Sequence, residues 1–578
     1  MHYKVSYTNP QQHYISFECT IGKVKGDALL IQLPSWRPGR YELGNFAKNV
    51  RGFRVSDEKG NALQHTKITK DCWSVSCKGV STVRVCYEYF ATDLNAGSTY
   101  LDEFQLYMNP VNCCVYVPER MGEEHVLEFV LPEDYEIACA LTKKDKRTLV
   151  APDFDRLADS PLICSATLKH QWFVLDGVEF HLWFQGECKP DWGKLIADFF
   201  IFVNEQMMLF RSSCPTHAYH FFFQVVPFRF YHGVEHVDST VIALGPGYKL
   251  MTDVYHDLLG VSSHELFHAW NIKSIRPAEM LPYDFTKENY SRSGYVCEGV
   301  TTYYGDLMLL RSTVFSEEEY WPTFEERLQK HYDNPGRYNL SVADSSFDTW
   351  LDGYVPGAPG RKTSIYDEGC LLAFITDIRI RRATNNDSSL DDVMRLLYED
   401  FAKKGKGYTE ADYKALLEKV SGTDFTDLFD SYINAASDYT PALEDALAYI
   451  GHKLVMRPSS KLQEHYFGFK VAEPGGITRV TAVYPGSPAE KAGLALNDDI
   501  LGVNGMPVKA DLAEWLRYFG KRPAELVISS AGKVQVLKLE IAEKTFYPVC
   551  KVEKADQMSV VQTDSWQNWC GKRTVSSF

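Results

Sequence analysis

No stretch of the 578-residue chain approaches the ~18 consecutive apolar residues that cross a bilayer, so a membrane span is not expected. Positive charge is also in deficit: 61 Lys and Arg stand against 76 Asp and Glu, a formal net charge of -15. Nucleic acid and anionic membrane surfaces both need a basic footprint, which argues against either as the main partner. The fourteen cysteines include no C-x-x-C spacing, which excludes a zinc ribbon, and their scatter is not that of a small disulfide scaffold. Free core thiols in a reducing compartment are the expectation. The opening Met1-His2-Tyr3-Lys4-Val5-Ser6-Tyr7 alternates like a strand and lacks the basic and apolar regions of a signal peptide. The expected location is therefore cytoplasmic as the sequence stands, and periplasmic or exported if a leader has been removed. Internal repeats of roughly 20–50 residues and low-complexity tracts are absent as well.

Core material is plentiful, with 45% apolar and 13% aromatic residues. The length exceeds the roughly 250–300 residues at which one core stops growing, so several domains are expected. Residues 1–158 read as short alternating strands, such as Thr82–Tyr89 and Val126–Val130, separated by turn residues. This predicts a β-rich, sandwich-like N-terminal domain. From 159 to 455 strand-like runs first alternate with helical ones, and beyond about 312 helical periodicity dominates. Ser316 and Ser389 each precede acidic residues in the manner of helix caps there. Residues 456–545 return to strands punctuated by glycine, a length that suits one small module. Residues 546–578 form a polar tail carrying Trp566 and Trp569, either docked or disordered.

The chemistry centres on His264-Glu265-Leu266-Phe267-His268. Two histidines four apart on a helix lie one turn above each other on the same face, where both imidazoles can hold one tetrahedral zinc. Glu265 is then adjacent to the metal without being a ligand, placed to accept a proton from a zinc-activated water that attacks a carbonyl. Glu298, thirty positions beyond His268 and followed by Gly299, is the candidate third ligand. A His₂Glu set leaves one position open, as catalytic zinc requires. Spacing alone leaves Glu298 equally readable as a surface acid at a helix start.

The residues around these positions narrow the reading. His264–Pro277 with Glu298-Gly-Val-Thr-Thr-Tyr-Tyr-Gly-Asp306 closely resembles the glycyl aminopeptidase family of zinc metallopeptidases, whose members often carry a PDZ domain. Leu33-Pro-Ser-Trp-Arg-Pro-Gly-Arg-Tyr41, Tyr231–Thr240, Ser345–Trp350, Tyr366-Asp-Glu-Gly369 and Ser389–Arg395 match it in the same order. The resemblance, over roughly residues 1–545, implies a multidomain α+β chain: a β-rich N-terminal domain, a thermolysin-like catalytic domain with an α-helical part, and a PDZ domain. It implies one zinc ion per chain on His264, His268 and Glu298, with Glu265 as general base. It also implies Tyr366 as oxyanion donor, where a phenol commonly contributes about 2.7–4 kcal/mol. Glu235, beside Gly233, would hold the free α-amino group of a peptide substrate. By the residues alone, Tyr366 is an ordinary core tyrosine and Glu235 a strand-end acid paired with Arg229 or another basic residue. Three positions depart from the pattern: Glu368 replaces a lysine, His232 a glycine, and Ser274 a residue that is often basic.

Tyr466–Phe469, Tyr484–Leu494 and Asn497–Gly505 resemble a PDZ domain. Phe467, Gly468 and Phe469 would form its carboxylate-binding loop, receiving a peptide C-terminus; a purely structural brace is the alternative. The function implied is a zinc-dependent aminopeptidase acting on peptides with free N-termini, with small first residues such as Gly or Ala suggested by the resemblance. The alternatives are a zinc endopeptidase, and a PDZ-bearing peptide-binding protein with a vestigial metal site.

Overall fold

Alternation of buried and exposed side chains organises the first part of the chain, for example in Tyr14–Ile21 and Val83–Phe90. These two strands pair antiparallel, with Phe17 opposite Tyr87 and their rings stacked at 5.1 Å. They belong to a seven-stranded sheet in which His2–Ser6 bridges Tyr14–Ile21 and His125–Phe129. A three-stranded and a four-stranded sheet enclose a shared core with it. The computed structural model describes residues 1–355 and 357–571.

The second domain is built on five strands in the order Lys169–Leu175, Val178–Gln185, Ala218–Val225, Ser239–Gly245 and Phe230–Glu235. The central ones run parallel and are buried on both faces, which explains their nearly unbroken apolar sequence. Helices Trp192–Leu209 and Tyr255–His268 share a core with one face. On the other face Trp183, Phe222, Val234, Val241 and Ala243 meet Ala96, Tyr107, Ala138 and Ile163 of the N-terminal domain. Phe230–Glu235 is an edge strand, pairing among the described residues only with Ser239–Gly245. Helices then dominate, notably Thr301–Arg311, Glu317–Asp333 and Ile365–Ala383. Ser316 with Glu319 and Ser389 with Asp392 form capping boxes.

Six further strands and two short helices around a separate core make up the PDZ domain. It is inserted into the helical domain rather than appended. His452–Arg457 leads into it, and Val549–Lys554 returns to pair with that strand along its whole length. The helix Val560–Trp569 follows, with Trp566 and Trp569 buried in the catalytic core. Trp569 Nε1 donates to the Tyr303 hydroxyl at 2.7 Å and Arg311 Nε to the Trp569 carbonyl at 3.0 Å.

Two boundaries therefore move. The catalytic domain does not end at 455 and residues 546–578 are not simply a tail, because the strand completing the His452–Arg457 pair lies about ninety residues downstream. The first domain runs past 158, since Leu162–Ser165 pairs with Gln105–Met108. In both cases a partner remote in sequence decides. No disulfide links cysteines among the described residues, and twelve of the fourteen cysteines are buried. No helix among the described residues is long and apolar enough to cross a membrane.

A buried ion pair fastens the first two domains together. Lys273 Nζ meets Asp159 Oδ1 at 2.7 Å with the lysine side chain 2% exposed, and Asp159 also accepts from His236 Nδ1 at 3.0 Å and Val237 N at 2.9 Å. Burial alone would raise the Asp159 carboxyl, but Lys273 and His236 outweigh it and hold it below its usual range. A depressed carboxylate contributes stability above its unfolded pKa of ~3.9 and loses it as pH falls through the folded value. Asp159→Ala strands the Lys273 charge and is expected to cost about 3–5 kcal/mol at neutral pH. A fall in thermal or urea midpoint reads this directly, and the difference from wild type shrinks on acidification.

Candidate active site

The Tyr255–His268 helix presents His264 and His268 on one face, as their spacing requires. Their Nε2 atoms converge to 3.0 Å. His268 Nδ1 lies 3.0 Å from the Asn271 carbonyl, which sets its tautomer and leaves Nε2 with a lone pair facing the cleft. Glu298 enters from a single π turn, Tyr295–Val300, that opens the helix Thr301–Arg311. Such wide turns recur at functional sites because they re-aim side chains. Glu298 Oε2 stands 3.3 Å from His268 Nε2 and 3.9 Å from His264 Nε2. Asn271, three residues past the motif, donates to the carbonyl of Val296 at 2.8 Å and to Thr301 Oγ1 at 3.0 Å, locking helix and turn together.

Small residues permit this packing. A Cβ on Gly299 would lie 2.3 Å from Gly369 Cα, so the Glu-Gly step and the Tyr366–Gly369 tract are glycine-bearing because two backbones touch there. The same approach sets Tyr366, in the first turn of Ile365–Ala383, beside the metal-ligand candidates.

These side chains line a cavity of about 350 Å³ together with Glu265, Glu235, Gly233, Tyr231, His232 and Gly39. Glu265 and Glu235 are buried, and each has a carboxylate oxygen, Oε2 and Oε1 respectively, without a partner among the described residues. Buried unpaired carboxylate oxygens are costly, so both call for a donor from outside the protein. Burial raises the Glu265 carboxyl well above its ordinary range, opposed by His268 and reinforced by Glu235 and Glu298. A proton acceptor is more effective when its pKa approaches the working pH. Gly233 gives Glu265 its room: a Cβ there would sit 2.2 Å from Glu265 Oε1. Burial, then the charge of Glu298, holds the Tyr366 phenol well above its usual pKa, so it remains a hydrogen-bond donor. Its hydroxyl lies 3.3 Å from that of Tyr354.

The three departures are accommodated. Glu368 points away from Tyr366 into a buried contact with His331 Nδ1 at 2.9 Å. His232 is pushed down to about 3 by burial, then by Arg37 and Arg40, and so is neutral near pH 7. Ser274 Oγ donates to the Ala269 carbonyl at 2.8 Å, while its neighbour Lys273 supplies the inward charge. Arg229 pairs with Asp257 rather than with Glu235. Phe467 and Phe469 bury their side chains in the PDZ core, and Gly468 between them has φ 73°. A Cβ on Gly468 would meet Ser487 and the ring of Phe546 at 2.5 and 2.9 Å.

The sequence reading missed the contribution of the N-terminal domain. The loop after Ala28–Gln32 crosses to the catalytic domain, where Trp36 Nε1 donates to the Asp284 carbonyl at 2.7 Å. It delivers Tyr41, whose hydroxyl donates to Glu298 Oε1 at 2.7 Å, and Gly39, where a Cβ would lie 2.5 Å from Glu235 Oε2. Only the Trp-Arg-Pro-Gly-Arg-Tyr tract itself, dense in turn-forming and hydrogen-bonding residues, hinted at this. Tyr41→Phe removes the outer hydrogen bond of a ligand candidate and is expected to lower metal affinity or activity about 10–100-fold with the fold intact. Metal titration of the stripped protein checks it.

The donor atoms of His264, His268 and Glu298 lie within 4.8 Å of one another, a grouping able to hold a metal ion. Glu235, Glu265 and His268 meet the same distance test. The first set fits better: its two imidazole nitrogens and one carboxylate are the ligands of a three-coordinate catalytic site, and it leaves both unpartnered carboxylates for water and substrate.

Three stretches of the chain match known families. Residues 2–166 match the Peptidase M61 N-terminal domain, residues 257–372 the M61 glycyl aminopeptidase domain, and residues 479–528 a PDZ domain. The chain is similar to a crystal structure of an aminopeptidase N family protein from Idiomarina loihiensis, with TM-score 0.91 and 24% identity over 98% of this chain and 99% of that one. It is more distantly similar to an M1 zinc metallopeptidase from Deinococcus radiodurans, with TM-score 0.45 and 13% identity over 76% of this chain and 94% of that one. No curated protein matches. Domain order and site together define a peptidase. Two stretches of the chain thus match models of the M61 glycyl aminopeptidase family, and a PDZ domain lies within its C-terminal part.

Proposed function

We propose that the protein is a zinc-dependent aminopeptidase that removes N-terminal residues from peptides. The observation that carries this is the shared cavity: a His₂Glu donor set and two buried carboxylates with unpartnered oxygens face it together. His264, His268 and Glu298 would hold one zinc ion. Zinc, when bound, supplies Lewis acidity that makes water acidic near neutral pH and polarises a carbonyl.

The remaining chemistry belongs to the chain. Glu265 takes the proton of the attacking water at its open Oε2 and passes it to the leaving amine. Tyr366 donates to the oxygen that becomes negative as the carbonyl is attacked. Glu235 accepts the substrate's α-ammonium group, and the edge strand Phe230–Glu235 offers backbone hydrogen bonds alongside it. Tyr41 and Asn271 position Glu298 and His268 from behind. Small first residues such as Gly or Ala suit this reading, as does a cytoplasmic setting for a protein rich in buried free thiols.

Cleavage of one peptide with a free and with an acetylated N-terminus tests the proposal. The free peptide is expected to be hydrolysed and the blocked one spared. Equal cleavage of both would make the enzyme an endopeptidase. Absence of bound zinc after purification, with Glu265→Gln leaving peptide binding unchanged, would leave only a peptide-binding protein.

A further inference from the structure

The active-site cavity does not end at Tyr366. Lys330, Ser364 and Asp367 line it and also line a second, larger cavity of about 660 Å³ that lies between the catalytic and PDZ domains. That volume falls within the roughly 300–1,000 Å³ of ligand sites. The PDZ side of the cavity comprises Thr481–Val483 from the strand Thr478–Val483 and Leu494–Leu496 beyond the helix Pro488–Ala492. Phe467, Gly468 and Phe469 are absent from its lining, so this is a different face of the domain from the carboxylate-binding loop.

An ion pair joins the two walls, and the strand that returns from the PDZ domain is anchored beside it. Lys470 of the PDZ domain pairs with Asp333. Gln329 Nε2 donates to the Pro548 carbonyl at 2.9 Å and accepts at Oε1 from Cys550 N at 3.1 Å. Asp333 and Gln329 lie on the helix Glu317–Asp333, which also sends Arg327 and Lys330 into the active-site cavity. One rigid element thus borders both chambers.

We infer that this interdomain cavity receives the part of a peptide substrate downstream of the scissile bond, so that the PDZ domain is a wall of the substrate cleft. The inference rests on the aminopeptidase reading: with the N-terminus held at Glu235 and the first carbonyl at the metal ligands, the rest of the chain must leave past Lys330 and Ser364. Val483, Leu494 and Leu496 offer apolar contact, and Leu496 is 43% exposed without a substrate. Of the four carboxylates in the lining, Asp333 pairs with Lys470, Asp367 with Arg327 and Glu368 with His331. Apolar downstream side chains are therefore favoured, and charged ones, which would give up water there without a new partner, disfavoured.

Alanine amide, Ala-Ala-Leu-Leu-amide and Ala-Ala-Asp-Asp-amide, given to the full zinc-loaded chain, test this. The leucine peptide is expected to exceed both others in kcat/KM by about tenfold or more, the scale of a filled apolar subsite. Thr481→Trp narrows the cavity from an exposed position and Leu496→Asp charges its wall; both are expected to raise KM for the leucine peptide while leaving alanine amide hydrolysis unchanged. Hydrolysis that is independent of peptide length, or variants that change both substrates equally, overturns the inference and leaves the aminopeptidase reading standing. Failure of the wild-type chain to cleave any of the three overturns the aminopeptidase reading itself.

Discussion

Glu265→Gln is expected to lower kcat by about 10²–10⁴-fold, the usual contribution of a positioned general base, while zinc content stays at wild-type level. Glutamine keeps the shape of the side chain and fits the space that Gly233 leaves beside it. It cannot take a proton, so the oxygen that faces the cavity without a partner becomes chemically idle. Glu265 belongs to the second candidate metal grouping but not to the His264–His268–Glu298 set. Steady-state hydrolysis combined with elemental analysis separates the roles: loss of rate with metal retained marks a base, whereas parallel loss of both would make Glu265 a ligand and reassign the site.

Glu235→Ala is expected to cut kcat/KM for free-amine peptides by roughly 30-fold to several thousand-fold, the consequence of losing about 2–5 kcal/mol when one member of a desolvated charge pair is removed. The Glu235 side chain is buried, its Oε1 lacks a partner, and Arg229, the basic residue near it in sequence, is engaged with Asp257. An ammonium group is the donor that would best satisfy that oxygen. Residual hydrolysis of an acetylated peptide should be unaffected or slightly improved. An equal loss on blocked and free peptides would mean that Glu235 only supports the fold of the edge strand.

The helix carrying His264, Glu265 and His268 was legible because its chemistry is local. Ligands four apart share a helix face whatever the rest of the protein does. The strand-rich start, the helical middle and the glycine-punctuated PDZ module were legible for the same reason, since side-chain periodicity and turn residues act over a few positions. Glu298 was harder. Its spacing permitted a ligand or a surface acid, and only the contact of Gly299 with Gly369 and the π turn show how it reaches the histidines.

What the sequence determined by itself is the pair of histidines one helical turn apart, the acid between them and the order of the domains, because each is written in short contiguous patterns. The tertiary structure decided the rest. It brought Tyr41 and Gly39 from the first domain to Glu298 and Glu235. It turned Glu368 away from Tyr366 towards His331, and it closed the catalytic domain with a strand and helix from beyond the PDZ domain. Each of these joins residues dozens to hundreds of positions apart, through packing and hydrogen bonds that leave no periodic trace in the chain.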